Sequence, residues 1–192
     1  MLRLKSILAA TGLMLAIAAT PVAAQAPDRA LLRKQKEAMA ALAFLDGEWA
    51  GPAEAQEPSG LIKMTQTERS GTLLDGTIRL VEGRSYDGAG KTLFNAFAVI
   101  SYDVRTGHYL ITSHASGYAI STQMKVSGHG FEWEIPAGPQ AKMHFKAVVE
   151  NGVWTEVGEY VGPSGKPRRT FHMEVRKLRP TAWPAGSLVS YK

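Results

Sequence analysis

The sequence predicts an all-β fold: one antiparallel meander β-barrel of about nine or ten strands, with a single helix ahead of it. Two observations carry that expectation. From Glu48 onward, turn pairs ending in glycine recur every ten or so residues, at Ser70-Gly71, Asp75-Gly76, Asp87-Gly88, Thr106-Gly107, Ser116-Gly117, Ser127-Gly128, Asn151-Gly152 and Ser164-Gly165. Between them lie short runs rich in β-branched and aromatic residues that alternate apolar with polar. Amphipathic strands joined by turns this short tend to close on themselves, because closure removes exposed edges.

The chain divides into four parts. Residues 1–24 have the form of a cleavable signal peptide, with Arg3 and Lys5 ahead of an apolar stretch over 7–19. Pro21 and the small residues Val22-Ala23-Ala24 follow, and cleavage is expected after Ala24. The apolar stretch is shorter than the roughly 18–20 residues that span a bilayer. The expectation is therefore an exported protein, periplasmic or extracellular, with no integral membrane segment after cleavage. Residues 25–45 form a lead-in, in which Leu31, Gln35, Ala38, Met39 and Leu42 recur at helical spacing and predict one helix over 27–43. Residues 46–179 form the barrel. Residues 180–192, with Pro184 and Gly186, read as a tail wrapped loosely on the surface.

Charge and cysteine content exclude several function classes. The 192 residues carry a formal charge of +5, and loss of Arg3 and Lys5 lowers it by two. Such a mild balance favours solubility and gives no reason to expect nucleic acid as a partner. There is no cysteine. That rules out disulfides, thiol catalysis and Cys-ligated metals. The segment from Ser85 to Thr92 ends in Gly-Lys-Thr like a phosphate-binding loop, but serine stands where that pattern needs glycine. Residues 93–102 also read as a strand where the loop should open a helix. It is expected to be a hairpin turn. No Gly-x-Ser-x-Gly, His-Glu-x-x-His or Ser-x-x-Lys occurs after the leader, and the histidines never fall at close metal-ligand spacing, so no metal is expected.

The strand phases name candidate interior residues. Folding 131–135 onto 141–146 sets Glu134 opposite Lys142 and Glu132 opposite His144, with Trp133 meeting Met143 and Phe131 meeting Phe145 on the apolar face. Pairing 107–113 with 117–126 places Tyr109, Ile111, Ser113, Tyr118, Ile120 and Thr122 on one face, and the preceding strand adds Phe97 and Val99. Met64, Met124, Met143 and Met173 also point inward, as core filler or as pocket lining. His144 and His172 fall on the outward phase, and His114 at a hairpin tip. Glu156 has two readings. A two-residue turn at Asn151-Gly152 pairs Ala147 with Glu156 and sends Trp154, Glu156, Gly158 and Tyr160 inward. A bulge would instead turn Val153 and Val157 inward and leave Glu156 in solvent.

Gly47-Glu48-Trp49-Ala50-Gly51, a Gly-x-Trp-x-Gly motif after a helical segment and before a β meander, resembles the lipocalin-like or calycin superfamily. The stretch 45–178 is also similar to an uncharacterised bacterial lipocalin-like domain family, whose closing strand Phe171-His172-Met173-Glu174-Val175-Arg176 resembles. The likeness implies a barrel with an interior pocket and a Gram-negative periplasmic setting. It implies Gly47 and Trp49 at one closed end, with Trp49 packed against a basic residue of the last strand, Arg176 or, failing that, Arg179. It also raises haem, which related barrels hold through a histidine on a late strand. His144 and His172 are the late histidines here, and their outward phase opposes it.

The functional expectation is a protein that binds a small apolar ligand among Phe97, Val99, Tyr109, Ile111, Tyr118, Ile120, Phe131, Trp133, Met143 and Phe145, with Tyr109 and Tyr118 as oriented polar contacts. The alternatives are a barrel enzyme with Glu156 as its catalytic carboxylate, a haem barrel, and a filled barrel acting through its surface.

Overall fold

The computed structural model describes residues 28–184, and in it ten strands close into one antiparallel barrel. The proposed leader and the end of the tail lie outside the described residues. Helix α1 (Arg29–Ala40) and a 3-10 turn (Ala43–Leu45) come first. The strands are β1 (Gly47–Glu57), β2 (Gly60–Leu73), β3 (Ile78–Tyr86), β4 (Thr92–Asp103), β5 (His108–Ala115), β6 (Tyr118–Ser127), β7 (Gly130–Pro136), β8 (Lys142–Glu150), β9 (Val153–Val161) and β10 (Pro167–Arg179). Each pairs with its neighbour in sequence, and β10 returns to β1.

The helix is shorter than its periodicity predicts. Asp28 takes the N-cap, its carboxylate accepting from the backbone N–H of Ala30 and Leu31 at 2.9 and 3.2 Å. Only the last turn is buried. Met39, Leu42 and Leu45, at 0–1% exposure, plug one end of the barrel, while Leu31 and Leu32 stay exposed. Polar contacts fix the plug. Tyr109 donates to the carbonyl of Ala38 (2.7 Å), Gln35 to that of Tyr102 (3.1 Å) and the Trp49 indole to that of Leu45 (3.0 Å). The Ala38 carbonyl also accepts from the backbone N–H of Ala41 at 3.1 Å, so Tyr109 takes a second lone pair of that helix-end acceptor and docks the helix.

The Gly-x-Trp-x-Gly motif sits at the seam between β1 and β10. A side chain at Gly51 would place its Cβ 2.1 Å from the carbonyl oxygen of Glu174, so bare backbone is required there. Gly47 has φ +123° and faces the Arg179 carbonyl in the same way. The basic residue packed on Trp49 is Lys177, whose ammonium lies 5.4 Å from the ring centroid. This corrects the assignment of Arg176, which points outward to Glu174, and of Arg179, which pairs with Glu48. Register decides the matter, because Trp49 stands opposite Lys177 and Arg176 opposite Ala50.

Other expectations are corrected by register. The β7–β8 hairpin pairs Trp133 with Phe145 and Ile135 with Met143, two residues from the expected alignment. A two-residue shift keeps every side chain on its face. The expected ion pairs survive as diagonal contacts, Lys142 to Glu134 at 2.7 Å and His144 to Glu132 at 3.4 Å. Ser70-Gly71 is not a turn but lies within β2. Gly71 is small because the tail crosses it, with the Trp183 carbonyl oxygen 1.9 Å from where a Cβ would stand. The Trp183 ring is sandwiched between Arg69 (4.5 Å) and Phe97 (6.4 Å), so the tail is docked there rather than loose.

Candidate ligand-binding interior

The interior can be followed around the barrel by pairing alone, since directly opposed residues share a face. Ala53 opposes Met64, Gln66 opposes Ser85, and Glu68 opposes Gly83. Ala98 opposes Ser113, Ile111 opposes Thr122, and Met124 opposes Trp133. Phe145 opposes Gly158, Ala147 opposes Glu156, and Met173 opposes both Glu156 and Ala53, which closes the circuit. The Asn151-Gly152 turn has both residues at positive φ, 53° and 73°. It pairs Val149 with Trp154 in the bulge-free register, so Glu156 faces inward.

Burial divides this inner face into two halves. At the helix end, Trp49, Ile100, Ile111, Met124, Phe131, Ala147, Val149, Trp154, Met173 and Val175 are all buried, and they form one cluster with the plug. Trp49 and Trp154 meet edge to face at 5.9 Å. These two rings, with Phe131 against Trp154 at 6.1 Å, make the floor. Toward the other end, inward side chains regain exposure. Met64, Val81, Ala98, Trp133, Met143, Phe145, Glu156, Tyr160 and Phe171 are half-buried although they face inward. Phe94 and Tyr118, also inward, reach 43% and 72% exposure at the rim. Exposure on the inner face thus rises towards the end away from the helix, on the walls formed by β6 to β10.

Five of the ten expected lining residues meet in that exposed half: Ile120, Trp133, Met143 and Phe145 on its wall and Tyr118 at its rim. Trp133 and Phe145 stack at 4.6 Å. Ile111 and Phe131 face inward but belong to the packed helix-end half. Tyr109 does too, and its hydroxyl is committed to Ala38. Burial raises its pKa first of all, with the nearby Tyr102 adding to the effect. Phe97 and Val99 are corrected. They oppose His114 and Thr112 on the outer face, and Ala96 and Ala98 occupy the inner one. Phe97 is half-buried all the same because Trp183 covers it from outside.

The interior also holds a polar cluster that the sequence pattern only half disclosed. Gln66 (3% exposed), Glu68 (9%) and Ser85 (1%) face inward on β2 and β3. The Ser85 hydroxyl donates to the Gln66 carbonyl oxygen, and the Gln66 amide donates to Glu68 at 2.6 Å. Glu68 lies flat against Gly83, where a Cβ would stand 2.7 Å from its carboxylate oxygen. Desolvation by the barrel pushes the Glu68 carboxyl well above its ordinary 4.5; the Gln66 hydrogen bond opposes this, and the charges of Glu156 and Glu82 reinforce it. Desolvation likewise raises Glu156 from 4.5 to about 7. The Trp154 indole N–H lies near enough to temper that shift but makes no hydrogen bond, and the atom is buried with no partner among the described residues. Glu68 was missed although Met64, expected inward, shares its period-2 phase, because the polar side chains of Gln66, Glu68 and Ser70 in that phase gave no apolar signal.

Arg79, 1% exposed at the floor, is the one other buried inward charge among the described residues. Its Nη1 donates to Asp46 at 2.5 Å and Ser70 at 2.9 Å, tying the plug to β3, while its buried Nε has no acceptor among the described residues. The histidines do not fit haem. His144 contacts Glu132 and Glu159 on the outer face, and His172 and His114 take the outer phase as well. A haem held through a late-strand histidine would have no ligand inside this barrel. The Ser85–Thr92 segment is a hairpin turn, in which Asp87 accepts from the backbone of Ala89 and Lys91.

No protein-family model and no curated protein matches the chain. Among solved structures, the crystal structure of Rv2717c from M. tuberculosis is similar, with a TM-score of 0.57 and 13% identity, over 74% of this chain and 98% of that one. At that identity the likeness speaks for the fold, a ten-stranded antiparallel barrel, and the closed meander described here is consistent with a lipocalin-like barrel.

Proposed function

We propose that this is an exported binding protein that holds a small, largely apolar molecule in the open half of its barrel. The observation that carries the reading is the recovery of exposure by inward-facing Trp133, Met143, Phe145 and Phe171 above a sealed floor. Filled cores do not leave aromatic side chains half-exposed on their inner face. An apolar wall with a few convergent polar groups is the usual make-up of a small-molecule site. Phe97, Val99, Tyr109, Ile111 and Phe131 drop out of the proposed lining; Met64, Ala98, Tyr160 and Phe171 join it. The leader-like residues 1–24 support export.

The test uses N-phenyl-1-naphthylamine, a neutral probe whose fluorescence rises in apolar surroundings. Wild-type protein should bind it saturably at one per chain. Ser113→Trp, which fills the inner wall, should weaken binding at least tenfold. No fluorescence rise from folded wild-type protein overturns the reading. A second reading, Glu156 as a general acid or base, draws on its carboxyl titrating near 7, where such groups work best. Binding is preferred, because no nucleophile stands beside that carboxyl.

A further inference from the structure

We propose that the polar cluster at the bottom of the cavity is a head-group site for an organic amine, with Glu68 and Glu156 as the ammonium's partners and the Trp154 N–H as donor to an adjacent oxygen of the same ligand. This deepens the binding reading and rests on it. The argument begins with an imbalance. Two carboxyl groups close enough for their charges to interact face the interior, and neither has an ion-pair partner among the described residues. Arg79 is held by Asp46 and Ser70. Arg168 and Lys177, the other inward-phase cations, stand exposed at opposite ends of the barrel, Arg168 over Tyr160 at 5.6 Å and Lys177 over Trp49 at 5.4 Å from the ring centroids. Buried carboxylates without a partner are costly, and structures retain them where something supplies the countercharge.

Glu68 is also positioned rather than merely tolerated. Ser85, Gln66 and the bare backbone of Gly83 fix one of its oxygens and so orient the carboxyl, while the one protein donor near the Glu156 carboxyl among the described residues is the Trp154 indole. The second, independent observation is Trp154. Its residue is 2% exposed, its ring faces inward beside Glu156, and its N–H has no acceptor among the described residues. Buried indole N–H groups normally find an acceptor. A ligand that brings both an ammonium donor and a neighbouring oxygen satisfies both halves of the site. The stacked Trp133 and Phe145 above it suit an aromatic or aliphatic body.

The experiment is displacement of N-phenyl-1-naphthylamine from the full-length protein by 2-phenylethylamine, 2-phenylethanol and phenylacetate, which share a body and differ in head-group charge. The amine should displace the probe at concentrations at least tenfold below the alcohol, and phenylacetate should be weakest. In the near-isosteric double variant Glu68→Gln/Glu156→Gln, the amine-to-alcohol ratio, each competitor measured against that variant's own probe affinity, should fall to within twofold. 2-Amino-1-phenylethanol should bind several-fold more tightly than 2-phenylethylamine, and Trp154→Phe should remove that advantage. Equal binding of alcohol and amine, no displacement by the amine, or a ratio unchanged in the double variant would each overturn the head-group assignment and leave the binding barrel standing. Failure of the probe itself to bind wild-type protein would overturn both.

Discussion

Glu156 shows how one side chain couples barrel stability to pH. Its carboxyl is raised from 4.5 to about 7 because the barrel removes water from the charged form. A carboxyl with a raised folded pKa favours the fold while protonated, so that contribution is complete below about pH 4.5 and is lost as pH rises through about 7. A shift of that size corresponds to about 3 kcal/mol. Glu156→Gln imitates the protonated state at every pH. Urea denaturation should therefore find the variant more stable than wild type at pH 8, by up to about 3 kcal/mol, and equal to it at pH 4. A stability difference that does not change between those two pH values would contradict the placement of Glu156. Glu68 is shifted in the same direction, so Glu68→Gln should behave alike. Glu156 was legible in the sequence as one of two registers, decided by the positive-φ pair Asn151-Gly152. Glu68 was legible only through the inward phase of Met64, since the other residues of that phase, Gln66 and Ser70, are as polar as the outer face.

At the scale of the element, the seam between β1 and β10 is the place where closure depends on individual residues. Gly51 admits no Cβ because the Glu174 carbonyl occupies its position, and backbone cannot yield as a flexible side chain can. Gly51→Ala should cost about 2 kcal/mol or more by overpacking, measured as a fall in the denaturation midpoint. Gly60→Ala should give a useful contrast. It meets no steric neighbour and is penalised only by its positive φ of 127°. Most strands were legible from alternation and turn chemistry, and β5–β6 paired as expected, down to Thr112 opposite Ser121. β4 was misphased because size was taken as a guide. Its inner face carries Ala96 and Ala98, and Phe97 gains burial from a tail residue 86 positions away.

For the whole molecule, the helix is part of the barrel core and not an appendage. Met39, Leu42 and Leu45 are as buried as any strand residue and share one cluster with Trp49 and Trp154. Leu42→Ala should therefore lower global stability by about 2–5 kcal/mol. Tryptophan fluorescence and far-UV circular dichroism should still report one coincident transition. Two separated transitions would mean that the plug unfolds independently of the strands. The same arrangement makes the molecule polar in architecture, with one end sealed by apolar packing and the other open through Phe94 and Tyr118.

The sequence by itself determined the all-β class, the meander, the single leading helix, most turns and the inward phase of β5 to β8. Those features follow from short-range rules: period-2 alternation, turn residues at positive φ, and helical spacing, each acting within about a dozen residues. Tertiary structure alone decided which basic residue packs on Trp49, which face of β4 is inner, and that Gln66, Glu68 and Ser85 gather beside Glu156. Each of these depends on pairing between strands far apart in the chain. Barrel closure brings β2 and β9 to face one interior, and only there does Glu156 come close enough to raise the cost of ionising Glu68.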